Sequence, residues 1–402
     1  MFSATIGTLL IMGVTLLTIL LAVLAVFHEY RKAQKAKLLP SRGKYKYRHA
    51  RKVAILIASK DGEKTIAASV MAARATRRQV FVVSDGSIDN TGAIAKAAGA
   101  HVLALKKNVG KPAALHQAYH HFNLSSTYDA IAILDDDVRI EPDFIRQTLR
   151  TMNRDTAIAV GRNITDWPNS QRWNMWLAAR SYSYWMYQLL LRPIQSSYNV
   201  MNCISGSNSL YRTQVLDQVL REQTPYIVDD TFWTLETHRL QLGTITYSPK
   251  AHAWLQDPTN FKDWYKQNLR WMWGTFQGIL GHKIGTKANA FHVAYIGLML
   301  DWIIYVASGP LTLWVIWHAG WRNLPLELLL LASGYAVWVA AAAAALKRPR
   351  LLLFVPAIIV ADFLFRWIMV HSLIKALRQP TVEACVWESP ERFAAANPLA
   401  KV

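Results

Sequence analysis

Cysteine is nearly absent from this sequence. Only two cysteines, Cys203 and Cys385, occur among 402 residues, far apart and in regions of different character, which excludes a disulfide framework and a cysteine-built metal site. Charge is scarce too: 18% of residues are charged and 52% are hydrophobic, against roughly 25% charged in an average soluble domain. That balance excludes a disordered chain and argues against a purely soluble one. Acid is scarcer than base, with 26 Asp+Glu against 45 Lys+Arg and a formal net charge of +19. The excess admits nucleic acid, anionic lipid or phosphorylated small molecules as partners, and only position decides between them. Neither GxGxxG nor a GxxxxGK motif followed by Ser or Thr occurs, which argues against a dinucleotide fold and a P-loop nucleoside triphosphatase.

Position points to a membrane. Residues 4–27 contain no charge and are long enough to cross a hydrocarbon core of about 30 Å. The uncharged start and the bulky Phe27-His28-Glu29-Tyr30 ending do not suit a cleaved signal peptide, so a retained anchor is predicted over 1–27. Residues 28–52 then carry ten Lys/Arg against one acid, Glu29. By the positive-inside rule this basic linker places the chain after it in the cytoplasm, and its adjacency to a span makes lipid headgroups, not nucleic acid, its partner. Three more apolar stretches, about 290–318, 324–346 and 351–372, predict four spans. The Lys347-Arg348-Pro349-Arg350 loop then lies inside and both termini outside, although a bend at Gly309-Pro310 would flip the C-terminus. Asp301, Asp362 and Arg366 stand within these stretches, where charge is costly unless paired or facing a polar path. Asp362 and Arg366, at i and i+4, are spaced to satisfy one another.

Between the anchor and these spans, Val53–Ala58, Val80–Ser84, His101–Leu105 and Ala130–Leu134 are short β-branched runs separated by Ala-rich segments. This alternation predicts an α/β domain with a mostly parallel sheet, in which ligands gather at the carboxyl ends of strands. The second strand ends in Ser84-Asp85-Gly86-Ser87-Ile88-Asp89, a turn whose carboxylates suit a ribose, a base N–H or a helix cap. The fourth ends in Asp135-Asp136-Asp137. Adjacent carboxylates repel, and a hard divalent cation shared with a diphosphate is the usual relief. Strand alternation predicts Asp135 and Asp137 on one side and Asp136 on the other. Lys111, after Asn108-Val109-Gly110, is either a positive charge for the same nucleotide or a solvated residue at a helix start. A second acidic pair, Asp229-Asp230, is followed by Gln267-Asn268-Leu269-Arg270-Trp271. On a helix Gln267, Arg270 and Trp271 share a face, offering an amide, a guanidinium for phosphate oxygens and an indole for a sugar ring. The aromatics Trp173, Trp176, Tyr182, Tyr184, Trp185 and Tyr187 are read as a helix lying at the membrane interface.

Together these residues resemble the membrane-integrated family 2 glycosyltransferases, the group containing hyaluronan, chitin, poly-N-acetylglucosamine and cellulose synthases. The resemblance implies a GT-A-type nucleotide-sugar domain over 53–257, an interface helix with the QxxRW motif over 258–288, a transmembrane region over 289–374 and a tail over 375–402. It further implies that Asp85 meets the nucleoside, that Asp135, Asp136 and Asp137 form the metal and diphosphate motif with Asp135 and Asp137 on the cation, and that Asp230 is the catalytic base. Asp229 precedes the base where Glu is usual, and Asp61 stands in a Ser59-Lys60-Asp61-Gly62-Glu63 loop where Tyr-Asn-Glu is common; both are assigned beside the donor and base. Gln267, Arg270, Trp271 and Lys111 are expected at the donor, and Ser205, Gly206, Ser207 and Trp271 at the acceptor. The implied activity is inverting hexosyl transfer from a UDP-sugar to a growing β-linked polysaccharide coupled to export, with single transfer to a lipid carrier as the alternative. The implied cofactor is Mg2+ or Mn2+. The implied partners are the UDP-sugar, an oligosaccharide or lipid-linked acceptor and the lipids of an inner or plasma membrane, with pairing to a second copy left open and nucleic acid excluded.

Overall fold

The computed structural model describes residues 47–383; the anchor, the linker as far as residue 46 and the tail from residue 384, with Cys385, lie outside the described residues. Strands β1 (Val53–Ser59), β2 (Gln79–Asp85), β3 (His101–Leu105) and β4 (Ala130–Asp135) alternate with helices α1 (Ile66–Ala75), α2 (Thr91–Ala97) and α3 (Lys111–His121). They pair in parallel in the spatial order β3-β2-β1-β4. Their Val/Ile/Leu/Ala sequences are apolar on both faces, as a sheet covered on both sides requires. Leu56, Ile131 and Ile133 point into one core with Tyr211 and Trp233, whereas Ile55, Ile57 and Leu134 point into the other with Phe144.

Beyond β4 the sheet becomes mixed. β5 (Val138–Ile140), α4 (Phe144–Thr151), β6 (Thr156–Thr165), β7 (Asn208–Arg212) and β8 (Thr244–Leu255) complete the order β3-β2-β1-β4-β7-β6-β8-β5. β7 runs antiparallel to both β4 and β6, with Leu134 opposite Asn208. This reversal brings the segment just before β7 against the carboxyl end of β4. Register does the same for the first loops, since Ser59 pairs with Ser84 and Ala58 with Asp135.

Between β6 and β7 the chain makes α5 (Met175–Tyr184), a π-helical stretch Trp185–Leu191 and α6 (Arg192–Tyr198). After β7 come α7 (Thr213–Val219), α8 (Asp229–Arg239) and, past β8, α9 (Phe261–Gly281). Three helices long and apolar enough to cross a membrane come next: α10 (Ala290–His318), α11 (Gly320–Leu346) and Pro349–Arg378, the last comprising a 3-10 turn and α12 (Val355–Arg378). α10 and α11 are joined at Gly320, whose φ of 70 no helix interior shows and which glycine adopts without strain. Asp362 and Arg366 form an ion pair within α12. The Asp362 carboxylate also accepts from Tyr305 (2.7 Å) and Tyr335 (2.5 Å), and Arg366 donates to the Tyr305 carbonyl (3.0 Å). These two charges therefore fasten α10, α11 and α12 together.

Candidate active site

The site grows from the carboxyl ends of β1, β2 and β4. Asp85, the last residue of β2, is buried and accepts from the Val109 N–H (2.8 Å) and the Gly110 N–H (2.9 Å). Burial raises its pKa and these two N–H donors pull it back. In this state the carboxylate shapes the loop that launches α3. Asp61 accepts from the Ile88 N–H (2.9 Å) and from Lys60 (2.8 Å), which lowers its pKa, Lys60 first. Asp61 thus ties the loop after β1 to the loop after β2, along with the Gly62 N–H on Thr91 Oγ1 (2.8 Å).

β4 ends at Asp135, and Asp136-Asp137 form the turn into β5. The alternation predicted for the three acids therefore stops at Asp135, because only a continuing strand sends successive side chains to opposite faces. Their mutual repulsion is met separately. Lys111 Nζ lies 2.6 Å from Asp135 Oδ1. Asp136 accepts from Ser59 Oγ at 2.6 Å, and its carbonyl from Ser69 Oγ at 2.8 Å. Asp137 is buried.

Lys111 is no solvated helix-start residue. It also donates to the Gly206 carbonyl (3.3 Å) and stands 3.8 Å from Asp229 Oδ2. Burial works against its charge, but Asp135 and then Asp229 outweigh burial and raise its pKa. One ammonium thereby links the acids at the end of β4 to the acids at the start of α8.

Asp229 and Asp230 occupy the first turn of α8, where the helix dipole favours negative charge. Asp230 Oδ2 accepts from the Gly206 N–H at 3.0 Å, and Cys203 Sγ lies 3.6 Å from Oδ1. Burial and then the neighbouring Asp229 push the Asp230 carboxyl up to about 6, against the pull of Lys111, Gly206 N–H and Arg270. A Cβ at position 206 would meet Asp230 Oδ2 at 3.1 Å, so glycine is what lets backbone and carboxylate meet. Ser205 and Ser207, also predicted at the acceptor, are buried and bond to each other (2.8 Å), with Asn163 donating to Ser205 Oγ (3.0 Å). Their hydroxyls hold the segment in shape, and Gly206 presents it to Asp230.

α9 carries Gln267, Arg270 and Trp271. What fixes this face is a residue the sequence did not single out: Arg180 of α5. Arg180 Nη2 donates to Gln267 Oε1 at 2.6 Å and Nη1 to Asn268 Oδ1 at 3.2 Å, its Nε lies 3.3 Å from Asp257 Oδ1, and its guanidinium sits 4.6 Å from the Trp271 ring centroid. Asp257 also accepts from Tyr184 (3.2 Å), and burial raises its pKa. The signal in the sequence was a lone cation in the apolar run Trp176-Leu-Ala-Ala-Arg180-Ser-Tyr-Ser-Tyr-Trp185.

Asp135 and Asp137 offer carboxylate oxygens, the donors that hard divalent cations take. Among the described residues no group of three or more His, Cys, Asp or Glu is placed to hold a metal ion. Two carboxylates fit a cation that completes its coordination with diphosphate oxygens and water, as Mg2+ does at phosphate sites.

Residues 50–274 match the family described as glycosyltransferase like family 2. The chain belongs to that family. It is 24% identical over 243 residues to a poly-β-1,6-N-acetyl-D-glucosamine synthase of Staphylococcus aureus, covering 59% of this chain and 57% of that protein. It is 26% identical over 175 residues to hyaluronan synthase 3 of Mus musculus, covering 42% of this chain and 31% of that one. The chain thus spans about half the length of the first of these relatives and a third of the second. Among solved structures it resembles the mannosyltransferase PcManGT from Pyrobaculum calidifontis in complex with GDP-Man and Mn2+, with a TM-score of 0.54 and 15% identity over 91% of this chain and 99% of that one. At that identity the likeness is one of fold, which is the GT-A fold with apolar helices appended.

Proposed function

We propose that this protein is an inverting hexosyltransferase that moves a sugar from a UDP-sugar to the end of a growing β-linked polysaccharide. The observation that carries the reading is Asp230: a half-buried carboxylate pushed up to about 6, held by a backbone N–H and reached by the fields of Lys111 and Arg270. A base near neutrality is what abstraction of a hydroxyl proton requires. Asp230 takes the proton of the acceptor hydroxyl while that oxygen attacks the anomeric carbon. The bond from this carbon to the diphosphate oxygen breaks on the opposite face, its electron pair leaves with UDP, and configuration inverts. Arg270 and Lys111 supply positive charge where the diphosphate gains its negative charge. Asp61 and Asp85 shape the donor loops, Asp135, Asp136 and Gln267 border the diphosphate, and Trp271 forms the floor under the sugars. Asp135 and Asp137 would hold a divalent cation, which supplies charge neutralisation to the diphosphate; Mn2+ accompanies GDP-Man in the structure of similar fold, and polymerising synthases are among the relatives.

The same reading puts the catalytic domain on the cytoplasmic side of an inner or plasma membrane. The basic Lys347–Arg350 loop supports it, since Arg348 donates to the Thr165 carbonyl (3.2 Å) and Arg350 to the Trp167 carbonyl (3.3 Å) of the catalytic domain. One observation favours the alternative, transfer of a single sugar to a lipid carrier without export: Asp362 and Arg366, two of the charges within the apolar helices, are spent on each other. Purified full-length protein with each radiolabelled UDP-sugar, with and without Mg2+ or Mn2+, decides between them. A sized polymer lost in EDTA supports the proposal, a single-sugar lipid product supports the alternative, and full turnover in EDTA removes the cation.

A further inference from the structure

The last apolar helix is long enough to span a bilayer, yet both of its ends are fastened to the catalytic domain. At its start, Arg348 donates to Ser181 Oγ (3.3 Å) and to the Thr165 carbonyl (3.2 Å), and Arg350 to the Trp167 carbonyl (3.3 Å). In its middle, Ala361 and Ile368 pack with Ala179 of α5 and Trp264 of α9. Toward its end, Tyr265 bonds His371 (2.7 Å) and Ser372 donates to the Leu269 carbonyl (3.2 Å). The Gln379 carbonyl then accepts from Trp273 (3.2 Å) and Gln277 (2.8 Å), and the Val382 N–H donates to the Pro225 carbonyl (2.9 Å).

A 24-residue helix is about 36 Å long at 1.5 Å per residue. Were it to cross, the surface it lies on would be carried through the hydrocarbon with it. That surface includes α9, which bears Lys262, Asp263, Lys266 and Arg270, charges that hydrocarbon does not accept. The other edge of the helix is apolar along its whole length. Leu353, Val360, Trp367 and Ile374, seven residues apart, are all exposed, as is Leu377. Cations mark both ends: Lys347, Arg348 and Arg350 before it, Lys375 and Arg378 in its last turn.

We infer that α12 and the 3-10 turn before it do not cross the membrane but lie in the plane of its catalytic-side interface, one face on α5 and α9 and the Leu353-Val360-Trp367-Ile374 edge in lipid, with the exposed Lys347 and Arg378 at the two ends on anionic headgroups. Among the described residues the crossing then belongs to the α10–α11 hairpin alone. The hairpin is fixed to the middle of α12 through Tyr305 and Tyr335 and displays exposed Trp317 and Trp321 at its tip, the residue type that marks a membrane interface. The described chain after α12 then stays on the catalytic side, with Val382 bonded to Pro225, against the count of four spans with both termini outside. This inference rests on the membrane reading above.

The chain carries its own reporter, because Cys385 comes after this helix in the sequence and the other cysteine, Cys203, is half-buried beside Asp230 with its thiol pKa raised by burial. Full-length protein in sealed vesicles of both orientations is treated with a membrane-impermeant maleimide, with Cys385→Ser to identify the label and Ser126→Cys, exposed on the catalytic domain, as the reference. Labelling of Cys385 in the same orientation as Ser126→Cys is the expected result; labelling in the opposite orientation overturns the inference. Equal labelling of both sites in both orientations overturns the membrane reading itself. Depth is read separately, by quenching a fluorophore at Leu353→Cys or Leu377→Cys with spin-labelled lipids. Equal shallow depth is expected, and depths in opposite leaflets refute the in-plane helix even if a variant folds poorly in one vesicle type.

Discussion

At the scale of single residues, the two aspartates that open α8 differ in what surrounds them. Asp229 has Lys111 at 3.8 Å, whereas Asp230 has burial and Asp229 raising its pKa to about 6. A base must be ionised to act, so the rate is expected to fall about tenfold per pH unit below about 6 and to level off above it. The same shift has a consequence for stability of opposite sense. A carboxyl whose folded pKa is raised stabilises the fold while protonated, below its ordinary value, and that contribution is lost as pH rises through about 6. Asp230→Asn is therefore expected to lower kcat by roughly 10² or more while leaving donor binding nearly unchanged and raising Tm at pH 7. Rate measurements from pH 5 to 8, isothermal titration with UDP and thermal melts check all three. An Asp229→Asn variant that shows this pattern in place of Asp230→Asn moves the base by one residue.

Arg180 belongs to the same scale but acts through others. Its fork joins Gln267, Asn268 and Asp257 beneath Trp271, a planar arrangement that an ammonium cannot copy. Arg180→Lys keeps the charge opposite Asp257 and loses the fork, so kcat/KM is expected to fall roughly 10-fold to 10²-fold with Tm changed little. Arg180→Ala leaves Asp257 buried with Tyr184 but without its counter-ion, which costs about 3–5 kcal/mol and shows as a large drop in Tm. Activity unaltered in the Lys variant, measured with kcat and KM resolved, would mean that the fork positions nothing.

At the scale of elements, α9 meets the start of α8 through glycines. A Cβ at Gly274 would come within 2.6 Å of Val228 Cβ, and one at Gly278 within 2.7 Å of both Thr231 Cγ2 and Leu235 Cδ1. Val228 immediately precedes the acidic pair, so the helix with Arg270 and the helix with Asp230 reach their distance only because α9 has no side chain there. Gly274→Ala is expected to cost about 1–3 kcal/mol through overpacking, only partly offset by the better helix propensity of Ala, and to lower kcat by moving the acids. Melting curves and initial rates measure both. The carboxylate-rich strand ends and QxxRW are legible in the sequence because their chemistry concentrates in short runs. The glycine contacts and Arg180 are not, since their partners are contributed by segments distant in the chain, from Val228 to Gly274 and from Arg180 to Asp257 and Gln267. The turn at Asp136 departs from the alternation expected of the three acids because strand periodicity carries no mark of where a strand stops.

At the scale of the whole molecule, the catalytic domain and the apolar helices are not separable units. Hydropathy identifies three apolar stretches but does not distinguish a helix face that meets lipid from one that meets protein. In the fold, Leu177 and Ala178 of α5 pack with Val339, Ala342 and Ala343 of α11 and Ile358 of α12. Trp264 packs with Ala361 and Ile368, and Trp273 packs with Ile227, Val228 and Ala376. Cutting the chain after residue 288 would retain the whole family-matched region, 50–274, and every proposed site residue. It would also uncover three apolar patches, around Leu177, Trp264 and Trp273, of the kind that soluble monomers rarely expose when large. It would further strip Trp273 and Gln277 of the Gln379 carbonyl that both reach. The truncated protein over 47–288 is accordingly expected to aggregate without detergent and, when solubilised, to melt lower than the full chain and turn over more slowly, because α9 loses its outer support. Size-exclusion chromatography with light scattering, with and without detergent, reads the first expectation, and melts and rates in detergent read the second. A monodisperse, fully active 47–288 fragment in plain buffer would show that the helices anchor the enzyme without shaping its site.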